Sequence, residues 1–210
     1  QPIRLGFFFT MNFLGHLYFS ENNPELMYAN LFGDFVKGKD LSEYTSIVQQ
    51  GIRLHREIDS YIDNHPIIKE LLHHLYPSLP KIAGIAIDLY FDHLLAKNWK
   101  NYSAISLGNF IQTFENHSID EVNYPDENFH FMLFRMKKSQ WLIHYASLDG
   151  LEHACRGVSQ RISFPNTLFN GRTVFEENEQ LISEAFKLFM NEAQQHFKNY
   201  FRTQDHSLNC

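Results

Sequence analysis

A chain of 210 residues, 44% hydrophobic and 20% charged, fits one domain that buries roughly 70% of its unfolded surface. A net charge of −6 argues against a general affinity for nucleic acid, and no apolar run approaches the ~20 residues that span a membrane. Two cysteines, Cys155 and Cys210, form no disulfide framework and point to a reducing, cytoplasmic setting.

In chain order, Gln1–Thr10 carries one Arg and an apolar Phe7–Phe9 without a clear cleavage site. It reads as leader sequence upstream of a natural start at Met11, with a single helical domain over 11–205. Helix-period patterns dominate the rest, and strand-like alternation is absent. Breaks at Asn22–Pro24, Gly38–Asp40, His65–Pro66, Pro77–Pro80, Asn123–Asn128 and Ile162–Gly171 divide the chain. They predict seven or eight helices, near 12–19, 25–36, 42–63, 66–75, 80–99, 103–117, 128–160 and 173–202. The seventh has a weak point at Asp149–Gly150. The expected fold is an all-α bundle with a ring-rich core, given 20 Phe and 10 Tyr. The last helix carries Phe186, Phe189, Met190, Ala193, Phe197 and Phe201 on one stripe that would close that core.

Ionisable residues on the wrong face are the main chemical signal. In the first helix His16 stands among apolar residues, where a satisfied core histidine is the commoner outcome. Asp34 falls near the end of the second helix, where it opposes the macrodipole and needs a cation or a purpose. In Thr45–Asp63, Val48, Ile52, His55, Asp59 and Ile62 fall within about 80° of one another. Gln49, Gln50, Arg53, Glu57 and Ser60 take the opposite face. His55 and Asp59 thus sit in an apolar stripe, either as a buried hydrogen-bonded pair or as ligands. Lys81–Trp99 is apolar nearly all round, yet Asp88 and Asp92 stand one turn apart on one side of it. Two such carboxylates repel unless a cation or a proton lies between them, although a buried Arg could also pair with them. Geometry does not choose between Asp88 and Asp92. Imidazole and carboxylate without thiolate suits Mn²⁺, Mg²⁺ or Fe²⁺, and an open position on such an ion would activate water.

The strings MNFLGHL (11–17), GDFVKG (33–38), GIRLHREIDSYIDNHP (51–66), DLYFDHLLAKNW (88–99) and QWLIHY (140–145), with Gly157 and Arg161, resemble the bacterial acyl-carrier-protein phosphodiesterases. That resemblance implies an all-α fold distantly related to the His-Asp phosphohydrolases. It also implies Mn²⁺ or another divalent ion, and removal of the 4′-phosphopantetheine arm from holo-acyl-carrier protein. Carried over by position, it implies His16, Asp34, His55, Asp59 and Asp92 as metal-site residues, with Asp63, His65, Asp88 and His93 as further candidates. Asp59 and Asp92 would then also serve catalysis. Arg56, flanking the His55/Asp59 stripe, is the candidate phosphate clamp, with a helix-surface role as its alternative. The adjacent His-Asp pair that names the wider superfamily is absent, the order here being Asp92-His93. Two other functions compete: hydrolysis of a nucleotide or another small phosphodiester, and a non-catalytic helical binding module. Carrier proteins are acidic, so recruitment by charge needs a local basic patch. Arg135, Lys137 and Lys138 form the densest basic run, with Lys97, Lys100 and Arg172 as further contributors and a solvated helix face as the alternative.

Overall fold

The computed structural model describes residues 13–208, with side chains to 204. The leader at 1–10, the start at Met11 and Cys210 lie outside the described residues. Eleven α-helices occur among the described residues, rather than the expected seven or eight, and no strand does. They are α1 (Phe13–Tyr18), α2 (Pro24–Phe32), α3 (Ser46–Asn64), α4 (Pro66–Leu75), α5 (Ala83–Lys97), α6 (Leu107–Asn116), α7 (Glu127–Ser139), α8 (Trp141–His144), α9 (Leu148–Ser159), α10 (Gly171–Glu177) and α11 (Glu179–Leu208).

Local chemistry sets the starts. Asn23 accepts from the Leu26 N–H ahead of Pro24 at the head of α2, and Pro66 opens α4. The Asp126 carboxylate accepts from the Asn128 and Phe129 N–H groups at the head of α7. The expected helix over 128–160 is three helices. Gln140 adopts φ 49°, ψ 31° and ends α7, and Ser147 caps α9 by accepting from the Gly150 N–H. The break expected near Asp149–Gly150 falls just ahead of them, at 145–147, and both residues lie in the first turn of α9. The expected last helix is two, divided at Asn178, whose side chain donates back to the Val174 carbonyl at 2.8 Å.

Two features of the core position the site. α5 is buried on almost every side, and Phe91 on it meets Phe186 and Phe189 of α11 at ring distances of 5.2 and 5.5 Å. The α11 stripe is buried at Phe186, Phe189, Met190, Ala193 and Phe197, while Phe201 is half-buried. Each such ring contributes about 1.5–3 kcal/mol by leaving water. α2 and α3 cross at backbone contact, because a Cβ on Gly51 would lie 2.3 Å from Ala29 Cβ and 2.6 Å from the Asn30 nitrogen. No helix among the described residues is long and apolar enough to cross a membrane.

Candidate metal centre

The helical phase of α3 turns His55 and Asp59 inward as the sequence predicted, and α1 and the turn after α2 bring their partners. A short 3-10 turn, Gly33–Phe35, follows α2 and carries Asp34. His55 Nε2 lies 3.2 Å from Asp34 Oδ1 and 3.2 Å from Asp59 Oδ2. His16 Nε2 lies 3.3 Å from the other Asp59 oxygen, Oδ1. The two imidazoles are stacked, 4.3 Å between ring centres and 20° between planes. His16, His55 and Asp59 can each present one donor atom with all three donors within 4.8 Å of one another. Ligand atoms about 2.1 Å from one ion lie roughly 3–3.5 Å apart, the spacing seen here. Gly33 makes the approach possible, since a Cβ there would fall 2.4 Å from the Cβ of His55.

The tautomer of His16 is set by a residue that the sequence reading passed over. Asn30, fully buried in α2, donates its amide to the His16 carbonyl at 2.9 Å and to Ser20 Oγ at 3.0 Å. The Ser20 hydroxyl itself donates to the His16 carbonyl, so it can only accept from Asn30. Turning the Asn30 amide over would set its oxygen against a carbonyl, so Asn30 Oδ1 must face His16 Nδ1, 2.9 Å away, and accept its proton. Nε2 of the neutral ring then carries a lone pair, buried and without a hydrogen-bond partner, aimed toward a carboxylate oxygen. Lone pair and anion repel at that distance, and a bound cation or a second proton on His16 resolves the conflict. A metal ligand held through its other nitrogen is the usual form of a functional histidine site. The donor set therefore fits a divalent ion. One polar residue in Leu26–Phe32, an otherwise apolar segment, was the signal available for Asn30. Asn30→Ala is expected to weaken metal binding roughly 10–100-fold. It also leaves buried groups unpaired at a cost of about 1–3 kcal/mol. Metal titration and thermal melting of the variant read the two effects separately.

Charge follows the same geometry. Burial disfavours a charged His55, but Asp34 and Asp59 outweigh it and raise its pKa from 6.5 to about 9. Burial would likewise raise Asp59, yet His16 and His55 in their charged forms hold it well below the usual carboxylate range. In the metal-free protein the His55 charge stabilises the fold fully below pH 6.5, and that contribution is lost as pH rises through about 9. Coordination needs the neutral ring, so metal competes with this proton. Metal affinity is expected to rise by up to roughly tenfold per pH unit across the same window, with about one proton released per ion. Calorimetric titration in buffers of different ionisation enthalpy checks it; a pH-independent affinity would contradict it.

The remaining candidates divide. Asp92 is buried, and both its oxygens accept from the start of α1, from the Leu14 N–H at 3.0 Å and the Gly15 N–H at 2.9 Å. Burial raises its pKa to about 8, against the lowering effect of those two bonds. α1 has six residues, too few to hold as an isolated helix, and Asp92 caps two of its first N–H groups from across the core. Asp88 is driven well above the usual carboxylate range by burial and by repulsion from Asp92, Asp59, Asp63 and Asp34. Asp88 and Asp92 line a small cavity with Gly15, Ile58, Ile62 and Phe189. A larger groove of ≈ 580 Å³ between Tyr18, Trp99 and Phe197 contains none of the cluster residues. The Arg56 guanidinium donates to the carbonyls of Val36 (3.3 Å) and Gly38 (2.7 Å), which ties down the loop behind Asp34. His93 pairs through Nδ1 with the Tyr145 carbonyl, and His65 Nε2 sits 3.3 Å from Glu192 on α11. Asp63 is exposed at the end of α3.

The family model for acyl carrier protein phosphodiesterase matches residues 11–193, a span that takes in α1 to α5 and every cluster residue. The chain belongs to the acyl carrier protein phosphodiesterase family. A protein of that name from Photorhabdus laumondii is 32% identical over 152 residues, covering 72% of this chain and 77% of the relative. One from Yersinia enterocolitica is 26% identical over 189 residues, covering 88% and 98%. One from Enterobacter sp. is 30% identical over 154 residues, covering 72% and 79%. No solved structure matches the chain. Within this family member the buried His16–Asp59–His55 arrangement is consistent with a bound metal ion.

Proposed function

We propose that the protein hydrolyses the phosphodiester joining 4′-phosphopantetheine to holo-acyl-carrier protein, releasing apo-carrier protein and free 4′-phosphopantetheine. Family membership supplies the substrate class. The observation that carries the chemistry is the buried, unpartnered His16 Nε2 facing Asp59 beside a stacked His55. His16, His55, Asp59 and Asp34 are the proposed ligands of one divalent ion, with Asp88 as a further candidate. Two nitrogens with several carboxylate oxygens favour Mn²⁺, with Mg²⁺ and Fe²⁺ as the other ions of matching chemistry. When bound, such an ion lowers the pKa of a coordinated water and neutralises charge on the phosphoryl oxygens.

The chain's own residues do the positioning. Asn30 keeps the His16 lone pair on Nε2, and Asp92 fixes the short helix that carries His16. Asp34 and Asp59 both meet the His55 ring at Nε2. Water adds to phosphorus, the bond from phosphorus to the carrier serine oxygen breaks, and that oxygen takes a proton. In this reading Asp92 and Arg56 are positioning residues, since the bonds they make are to the start of α1 and to the loop behind Asp34. The same reading puts the protein in the cytoplasm, where buried Cys155 stays a thiol.

Incubation with holo-carrier protein and Mn²⁺, followed by intact mass, tests the proposal. Loss of the phosphopantetheine mass from the carrier, abolished by chelator and restored by Mn²⁺, is expected. An unchanged carrier alongside cleavage of a small phosphodiester would overturn the assigned substrate, and a protein that takes up no metal would overturn the mechanism.

A further inference from the structure

α7 buries Phe129, Met132, Leu133 and Met136 and turns another stripe to solvent. On that stripe stand Phe131, Phe134, Arg135 and Lys138, at the spacing of one helical face. Phe131 is 61% exposed and Phe134 60%, two large rings side by side in water. The Arg135 guanidinium lies 6.0 Å from the Phe131 ring centre, and the Lys138 ammonium 5.6 Å from that of Phe134. Each cation thus covers the ring one turn before it, which keeps rings and charges on one ordered face. Exposed aromatics in a patch, joined by arginine, have the composition of a protein-binding surface.

Charge singles out the kind of partner. From Asn128 to Leu148 the chain has no Asp or Glu, although it carries 24 acids and a net charge of −6 overall. Two of the three other basic candidates, Arg172 and Lys97, are neutralised where they stand. Arg172 pairs with Asp149, Glu152 and Glu176, and Lys97 pairs with Glu179. An acidic partner is repelled by most of this molecule and admitted at α7, which orients the encounter as well as permitting it. The inner face of α7 ties that stripe to the candidate metal centre. Phe129 packs edge-on against Phe32 at 5.1 Å and Phe35 at 5.3 Å, the residues that bracket Gly33 and Asp34.

We propose that the Phe131–Phe134–Arg135–Lys138 face of α7 is the docking surface for the carrier protein, its rings seating on apolar surface and its two cations meeting carboxylates. The proposal rests on the functional reading above, because it takes the acidic macromolecular substrate from there. The carrier serine must reach the cluster, and α7 is the helix whose other side backs the Asp34 turn.

The test compares the parent protein with Arg135→Glu/Lys138→Glu and with Phe131→Ser/Phe134→Ser. All four positions are exposed, and far-ultraviolet dichroism confirms folding. For holo-carrier protein, KM is expected to rise roughly tenfold or more in each variant while kcat stays within about twofold. Hydrolysis of bis(p-nitrophenyl) phosphate, which needs no docking, should be unchanged. Added NaCl should raise the parent's KM and leave that of the charge-reversed variant nearly flat. Variants that turn over carrier protein with the parent's KM overturn the proposal. So does a parent protein that self-associates, or binds anionic vesicles, through this face while the variants still process carrier normally. If the parent leaves the carrier arm intact, the functional reading fails on its own, and docking is read by anisotropy of labelled holo-carrier protein. Binding weakened about tenfold in the variants upholds the docking face, and absence of binding to the parent overturns it.

Discussion

Asp59→Ala is expected to lower kcat/KM for holo-carrier protein by at least ~10³-fold and to strip the protein of metal at micromolar concentrations. The two oxygens of Asp59 reach two different imidazoles, His16 at 3.3 Å and His55 at 3.2 Å. Removing it takes away a proposed ligand and the anion that orients both rings, so the loss should appear in metal stoichiometry as well as in rate. The fold should survive, because the Asp59 side chain is 30% exposed. Elemental analysis of the purified variant, a melting curve and intact-mass turnover give three independent readings. A variant that retains metal and turns over within tenfold of the parent would remove Asp59 from the proposed site. A variant that melts far below the parent would instead assign Asp59 a structural task.

Gly51→Ala is expected to be among the most damaging single-methyl additions in the fold. The added carbon would lie 2.3 Å from Ala29 Cβ, 2.4 Å from the Ala29 carbonyl carbon and 2.6 Å from the Asn30 nitrogen. Two of these neighbours are backbone atoms, so no side-chain rotation relieves the overlap and α2 must move off α3. Overpacking of this kind costs about 3 kcal/mol or more. For a chain of this size that lowers Tm by roughly 6–12 °C. The displaced segment contains Asn30, which sets the His16 tautomer, so metal affinity should fall together with stability. Gly84→Ala is the control. In the first turn of α5 its Cβ would meet only Leu72 Cδ2 at 3.7 Å, and loss of the glycine's unfolded-chain freedom should leave stability unchanged or raise it by up to about 0.5 kcal/mol. Thermal and urea denaturation of both variants decide the matter. Equal stabilities would show that the α2–α3 contact is not as tight as these distances require.

Periodicity made α3 and α5 readable. A helix repeats every 3.6 residues whatever surrounds it, so the inward face of Thr45–Asp63 follows from spacing alone, and His55 is buried with Asp59 beside it. α4 matches its expected span, Pro66–Leu75, because proline can open a helix but not continue one. The divisions at Gln140 and Asn178 had no such signal. Glutamine has no preference for the left-handed conformation it takes at 140, and tertiary packing of the flanking helices imposes it.

The sequence by itself determined the helical class, the apolar stripes, the inward His55–Asp59 pair and, through its motifs, the family. Tertiary structure decided which inward groups meet. Asp88 and Asp92 occupy the same side of α5 and line one small cavity, yet it is Asp92 that caps α1, because the start of α1 lies over it. Phase along one helix fixes a direction for each side chain, while the partner found in that direction depends on where residues 14, 15, 30 and 34 arrive from elsewhere in the chain. Distances between helices are set by packing, and Gly33 and Gly51 are where that packing closes to backbone contact around the cluster.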